Sequence, residues 1–253
     1  MSFLAAPPTP TIHAKARSAV EQAEVAGAGT QRERDYIAAI ETFYRGSETV
    51  DRHTRARAYA RAMEQLARRY PDDHEAAVFH ALAVSATALP TDKTYAQQLE
   101  AAAILEALFA GHPDHPGVAH YLIHAYDYPP LAWRGLAAAR RYALIAPSSA
   151  HALHMPSHIF TRQGLWQECV QSNRASMAAA THDADRLHAM DYLVYAHLQQ
   201  AQDREAKRIL DQASAVERLD ADAFVAAYAL AAIPSRYVVE RGRWEDAPTR
   251  SSR

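Results

Sequence analysis

The amino-acid sequence predicts an all-α protein, and three observations support this prediction. The 253 residues contain only 8 glycines. Alanine is abundant and runs of valine and threonine are few, which favours helices over strands. Apolar residues recur at helical spacing along most of the chain. Prolines that end helices also recur, at Pro71, Pro113 and Pro147, which indicates a repeated helical unit.

The chain is expected to become helical after a short N-terminal segment. Residues 1–12 are rich in proline, and we expect them to be disordered. The turn signal Gly27-Ala28-Gly29 then separates the first two helices. The apolar pattern predicts three helices in this part of the chain, at about 13–26, 33–45 and 55–70.

A second kind of punctuation repeats along the rest of the chain. The segment Gly164-Leu165-Trp166-Gln167-Glu168 matches Gly242-Arg243-Trp244-Glu245-Asp246, with a degenerate copy, Ala201-Gln202-Asp203-Arg204-Glu205, between them. The three copies therefore begin at positions 164, 201 and 242. Residues 155–160, MPSHIF, also match 233–238, IPSRYV, at the same 78-residue offset as the first and third copies. Two independent marks in one register indicate a true repeat.

Helical hairpins that repeat every 34 to 42 residues, joined at a Gly-x-aromatic-x-acidic turn, resemble the tetratricopeptide repeat. Residues 120–127, HYLIHAYD, and 154–160, HMPSHIF, are similar to signature blocks of a bacterial family known mainly as uncharacterised tetratricopeptide repeat proteins. The resemblance covers about residues 32–247. It implies a right-handed α-solenoid, a superhelix of stacked hairpins. Members tend to have extra repeats on both sides, so we expect residues 13–253 to form a solenoid shortened at both ends.

Four histidines stand in two pairs at helical spacing. His120 and His124 are four residues apart, so both lie on one face of a helix about one turn apart. The same spacing relates His154 and His158, which follow the first pair at a 34-residue offset. Packed helices lie about 8 to 10 Å apart, so the four imidazoles could converge on one ion. Neutral imidazole nitrogens suit Zn, Fe, Cu or Ni.

Other polar residues extend this histidine strip. The family resemblance implies that the first helix of each repeat lines a concave groove and that the four histidines face into it. Asp127 and His151 lie about one turn from the two pairs. At the 37-residue offset, the next repeat presents His188, Asp191 and Tyr195 in the same places. The predicted ligand-binding residues are therefore His120, His124, Asp127, His151, His154, His158, His188, Asp191, Tyr195 and Arg236.

Two functions and one structural alternative stay open at this point. The first function is a non-enzymatic binding module whose groove holds a peptide, a protein or a small acidic ligand. The second is a metal-binding protein or a metal-dependent enzyme, with ligands from His120, His124, His154 and His158. The structural alternative is that the histidines only form hydrogen bonds between helices. No phosphate loop, His-Glu-x-x-His helix or nucleophile elbow is present, so no catalytic residue is named.

Composition and charge argue against several classes of protein. The 27 basic residues are balanced by 29 acidic ones, so no nucleic-acid partner is expected. No apolar stretch approaches the roughly 18 residues of a membrane-spanning helix, and the first residues do not form a signal peptide. The single cysteine cannot form an internal disulfide. We therefore expect a soluble cytoplasmic protein without a membrane partner.

Several conspicuous residues receive structural roles. Cys169 is expected to be a small buried side chain where two helices approach. His112 and His115 are predicted to lie in a helix-ending turn, because prolines explain their segment. The tryptophans are expected to be packing anchors, and these are Trp133, Trp166 and Trp244.

Overall fold

The computed structural model describes residues 9–216, 219 and 224–247. These residues form helices, turns and loops and include no strand, which confirms the all-α prediction. The chain divides into two compact units, Met1–Pro113 and Asp114–Arg253. The helices of the first unit are α1 (Pro10–Ala26), α2 (Gln31–Tyr44), α3 (Arg52–Arg69), α4 (His74–Ser85) and α5 (Ala96–Gly111).

The second unit contains eight α-helices among its described residues. Short 3₁₀ turns occur at Ala132–Gly135 and at Trp244–Asp246. The helices are α6 (Pro116–Tyr126), α7 (Leu136–Ile145), α8 (Ala150–His154), α9 (Pro156–Arg162), α10 (Trp166–Ala179), α11 (Asp183–Gln199), α12 (Asp203–Ser214) and α13 (Phe224–Arg241).

The helices of the first unit begin close to their predicted positions. Helix α1 starts at Pro10, so residues 10–12 are helical where we predicted disorder. Proline is favoured in the first turn of a helix, and the Thr9 hydroxyl accepts a hydrogen bond from the Ile12 amide at 3.3 Å. Residues 1–8, also predicted to be disordered, lie outside the described residues, as do 217–218, 220–223 and 248–253 of the predicted solenoid.

Each helix of the first unit packs against the next one in the chain. The core between them is built from buried aromatic and aliphatic side chains, and Phe43 and Met63 are at most 1% exposed. Helix α2 begins with the reciprocal hydrogen bonds of a capping box between Thr30 and Glu33.

The repeated turn segments of the second unit share a left-handed backbone residue. Gly164 has a φ of +67°, Ala201 of +56° and Gly242 of +63°. The first two stand where α9 is followed by α10 and α11 by α12, and the third follows α13. Glycine adopts this conformation at little cost, whereas alanine is strained by it. The three copies of the turn segment therefore mark equivalent helix ends.

Helix α10 holds the elements that carry the second histidine pair. It packs against α8, α9 and α11. Its Ser176 hydroxyl donates a hydrogen bond to the Ala150 carbonyl at 2.8 Å. Helix α11 then packs against α12 and α13. Gly135 also allows a close approach to α9, since a Cβ there would lie 2.8 Å from Ile159 Cδ1.

The predicted helix through His154 and His158 is divided in two. Proline has no amide hydrogen, so Pro156 cannot continue the hydrogen-bond pattern of α8, and α9 begins there. Met155 between them keeps a helical backbone, with φ −51° and ψ −37°. The two histidines therefore remain about one turn apart despite the break.

The structural roles predicted for single residues are partly confirmed. Cys169 is fully buried. His112 ends α5, and His115 caps α6 by accepting a hydrogen bond from the Val118 amide. Trp133 and Trp244 are 64% and 67% exposed, so the prediction that they anchor the packing is wrong.

Within the described part of the chain, no helix combines the length and hydropathy needed to cross a bilayer.

Candidate metal centre

Three imidazoles of the second unit have the spacing of metal ligands. One ring nitrogen from each of His154, His158 and His188 lies within 4.8 Å of the other two. In the described ranges this is the one group of three or more histidine, cysteine or acidic side chains with that property. His154 ends α8, His158 lies in α9 and His188 lies in α11. We call these three residues the inner triad.

The hydrogen bonds behind His154 determine where its proton lies. Its Nδ1 is 2.7 Å from Oδ1 of Asn173. The amide nitrogen of Asn173 donates to the Cys169 carbonyl at 2.8 Å, so its oxygen is the atom that faces His154. An amide oxygen only accepts hydrogen bonds. The Nδ1 of His154 therefore carries the hydrogen, and its Nε2 carries a lone pair when the ring is neutral.

A carboxylate fixes the Nδ1 hydrogen of His158 in a similar way. Its Nδ1 lies 2.8 Å from Oδ2 of Asp127, and Nε of Arg162 donates to Oδ1 of that carboxylate at 2.9 Å. Burial raises the pKa of Asp127, but its contacts with His158 and Arg162 outweigh burial and hold this pKa below its ordinary value. A carboxylate accepts hydrogen bonds only, so Nδ1 of His158 is the donor.

These two partners leave the two Nε2 atoms facing each other. Nε2 of His154 lies 3.1 Å from Nε2 of His158. With both hydrogens on Nδ1, two lone pairs meet and repel unless a cation lies close to both. Two imidazoles on a tetrahedral zinc ion, each about 2.0 to 2.1 Å from the metal, hold their nitrogens about 3.3 Å apart. The observed separation is close to this value.

His188 completes the inner triad. Its ring centroid lies 4.2 Å from that of His154. Its Nδ1 is buried and has no hydrogen-bond partner among the described residues. Burial lowers the pKa of His188 to about 4 and that of His154 well below its ordinary value. Both rings are therefore neutral at pH 7, and the neutral form is the one that binds metals.

Tyr192 adjoins the inner triad and is not among the ligand-binding residues predicted from the sequence. Its hydroxyl oxygen lies 3.2 Å from Nδ1 of His158, and its ring meets His154 edge-on at 4.8 Å. Burial raises its phenol pKa, so the hydroxyl stays protonated. The 34-residue offset that relates the two histidine pairs also leads from His154 to His188 and from His158 to Tyr192. Continuing that offset, instead of changing to 37, finds this tyrosine.

The other predicted metal ligands form a separate, more exposed group. Nε2 of His120 lies 3.0 Å from Nε2 of His124 and 3.2 Å from Nε2 of His151. We call these three residues the outer group. The inner triad thus takes His188 where the sequence predicted His120 and His124. The ring of His124 nevertheless lies only 6.3 Å from that of His158, so the two groups are adjacent.

The remaining predicted ligand residues contact one another. Nε of Arg236 donates to Oδ1 of Asp191 at 2.6 Å, and its terminal nitrogen donates to the second carboxylate oxygen at 3.2 Å. Asp191 is 1% exposed. Tyr195 packs edge-on against Trp166 at 5.6 Å, and the guanidinium of Arg236 lies 5.5 Å from its ring centre. The structure thus places these residues in an ion pair and an aromatic contact.

Cys169 contributes to the centre through its backbone. Its carbonyl orients Asn173, whereas burial raises the pKa of its thiol to about 11. A protonated buried thiol is a poor metal ligand.

Comparison with protein-family models, curated proteins and solved structures found no match to this chain. The resemblance to tetratricopeptide repeat proteins therefore stays a prediction.

Proposed function

We propose that this chain is a metal-binding protein that holds a divalent transition-metal ion at the inner triad. One observation carries the proposal. The Nε2 atoms of His154 and His158 face each other across 3.1 Å, and Asn173 and Asp127 accept hydrogens from the Nδ1 atoms of the same two rings. Metal-bound histidines usually donate a hydrogen bond from their second ring nitrogen to a carboxylate or a carbonyl oxygen in this way.

The donor set narrows the choice of metal. Three imidazoles without a thiolate suit Zn, Cu, Ni or Fe(II) better than Mg or Ca, which prefer oxygen ligands. Three protein ligands also leave a coordination position for water or for a small ligand. Zinc is the appropriate first probe, because its preferred coordination number of four matches such a site.

A shared proton is the structural alternative to a metal. If the His158 ring took a second hydrogen, at Nε2, this nitrogen could donate to Nε2 of His154. The pair would then only stabilise the packing of α8 and α9. The two accounts differ in one measurable property. The hydrogen-bonded pair requires no metal, whereas the metal site takes up one ion per chain.

The experiment is metal analysis of the full chain, purified without a histidine tag and dialysed after exposure to zinc. We expect about one retained equivalent, and its loss in the variant His158→Gln. His112→Gln is the matched control, because it removes an imidazole from a loop of the first unit. Circular dichroism checks that each variant is folded. Less than about a tenth of an equivalent in the wild type, with no uptake of Zn, Cu, Ni or Fe(II), contradicts the proposal.

We also propose that the helical hairpins stack as a right-handed, tetratricopeptide-like superhelix with the histidines on the inner helices. The repeated left-handed turn residues at Gly164, Ala201 and Gly242 support this arrangement. A peptide, a protein or a small ligand would then bind in the groove beside the metal. Because Asp191 and Arg236 are paired with each other, the histidines carry the polar recognition. Small-angle X-ray scattering, compared with the curve calculated for such a stack, tests this arrangement.

A further inference from the structure

The outer group has hydrogen-bond requirements that its own protons cannot meet. Nε2 of His120 approaches two other Nε2 atoms, at 3.0 Å and 3.2 Å. An imidazole nitrogen carries either one hydrogen or one lone pair in the ring plane. As a donor, His120 can serve only one neighbour, and as an acceptor it offers a single lone pair to two. One of the two contacts therefore lacks a proper hydrogen bond in every neutral arrangement of the protons.

The two contacts of His120 match the distances around a metal ion, whereas the ring nitrogens of His124 and His151 lie farther from each other than the 4.8 Å that bounds the inner triad. Two imidazole nitrogens bound to one tetrahedral zinc lie about 3.3 Å apart. The two contacts of His120 are slightly shorter, as is the one between His154 and His158. A cation attracts all the lone pairs that otherwise repel one another. It therefore resolves a conflict that rearranging hydrogens does not.

One histidine of the outer group is held in place and two are adjustable. The ring of His120 lies parallel to that of Tyr142, with 5.3 Å between centroids and 6° between planes. Tyr121 also stacks on it, at 5.1 Å and 18°. His124 and His151 are exposed, so their rings can turn toward a common ion at little cost. One stacked ligand with two exposed ones makes a weaker site than the inner triad, in which Asn173 and Asp127 hold two of the ligands from behind.

We propose that His120, His124 and His151 form a second transition-metal site beside the inner triad, open to solvent and weaker. It takes the same class of cation, a divalent ion that prefers imidazole, such as Zn or Cu. It uses three nitrogens and leaves the remaining positions to water or to an exogenous ligand. The inference rests on the proposed function only in that both sites bind the same kind of ion.

Zinc titration of the tag-free full chain, in competition with a chromophoric chelator, tests this second site. We expect two equivalents per chain, with the second on the order of tenfold weaker or more. His151→Ala should remove the weak step and leave the tight one unchanged. His188→Ala should weaken the tight step and retain the weak one. His53→Ala, which removes an imidazole from the first unit, is the control and should retain both steps.

Each other outcome has a definite meaning. A single tight equivalent in the wild type overturns the second site and leaves the proposed function standing. No uptake at all overturns both. Two equivalents that both survive His151→Ala, and also survive His120→Gln with the fold intact by circular dichroism, overturn the placement of the second ion.

Discussion

At the scale of single residues, the partners behind the histidines determine the chemistry of the centre. The carboxylate of Asp127 accepts from His158 while Arg162 neutralises its charge. The amide of Asn173 does the same for His154 without any charge. Both arrangements leave Nε2 of the ring facing the other histidine of the pair. Such partners raise ligand basicity and orient the ring.

The variant Asp127→Asn tests this role. An amide oxygen still accepts the hydrogen from His158, but the negative charge that strengthens the bond is gone. We expect zinc affinity at the inner triad to fall by about 10- to 100-fold while the helical content is unchanged. Asp114→Asn is the control, because Asp114 pairs with Arg141 at the protein surface. Calorimetric titration measures both, and equal affinities for the two variants would contradict the role of Asp127.

The sequence could predict that the two histidine pairs lie close together but not how they divide. The i,i+4 pairs and the 34-residue offset are visible in the sequence. The structure places both pairs among the six histidines of the inner triad and the outer group. Asn173 was not predicted, because it lies on α10, 19 residues from His154, and no spacing rule links a second helix to the first. The exchange of His120 and His124 for His188 depends on side-chain directions, which periodicity does not contain.

At the scale of elements, the left-handed turn residues explain why the hairpins of the second unit end in the same way. Two of the three positions are glycine and the third is Ala201. An L-residue in this conformation is strained by about 1 to 2 kcal/mol. The gain from relieving this strain is partly offset, because glycine makes the unfolded chain more flexible.

The variant Ala201→Gly should therefore stabilise the protein by about 0.5 to 1 kcal/mol, and Gly164→Ala should destabilise it by about 1 kcal/mol. Chemical denaturation monitored by circular dichroism measures both changes. Ala215 ends α12 with a φ of −82°, so Ala215→Gly is the control and should give no gain. A gain in the control equal to that at Ala201 would show that strain is not the cause.

The break between α8 and α9 shows where element prediction failed and why this did not matter. The apolar pattern continues through Met155 and Pro156, so the sequence predicts one helix. Proline ends α8 by removing one amide hydrogen, yet it is compatible with the helical φ. The backbone therefore continues in nearly the same direction, and the predicted proximity of His154 and His158 holds.

At the scale of the whole molecule, burying several imidazoles makes stability depend on pH. Burial lowers the pKa of His120 to about 3 and that of His188 to about 4, from an ordinary value of 6.5. As the pH falls below 6.5, the unfolded chain binds protons that the folded chain does not. The stability of the metal-free protein should therefore be complete above about pH 6.5 and decrease toward pH 3 to 4.

Thermal unfolding of the metal-free chain across this range checks the prediction. The double variant His120→Gln/His188→Gln should lose less stability per pH unit than the wild type, since two depressed histidines are gone. An identical pH dependence for both proteins would contradict it. Asp127, whose pKa is lowered, adds a loss only at lower pH, because its stabilisation disappears as the carboxylate becomes protonated.

The helical class of the molecule could be predicted because composition and apolar periodicity act along the whole chain, and packing does not reverse them. The turn segments were visible because a left-handed residue and a helix-ending proline each restrict the choice of amino acid. The exposure of Trp133 and Trp244 could not be predicted in this way, because a large apolar side chain does not specify what will cover it.

The most direct test of the metal site is anomalous diffraction from zinc-soaked crystals, measured on both sides of the zinc absorption edge. We expect a peak in the second unit about 2.0 to 2.1 Å from Nε2 of both His154 and His158. The anomalous peak at that position should vanish in data collected below the edge. No peak there, with His154 and His158 still in direct contact, would contradict the claim that these histidines form a metal site.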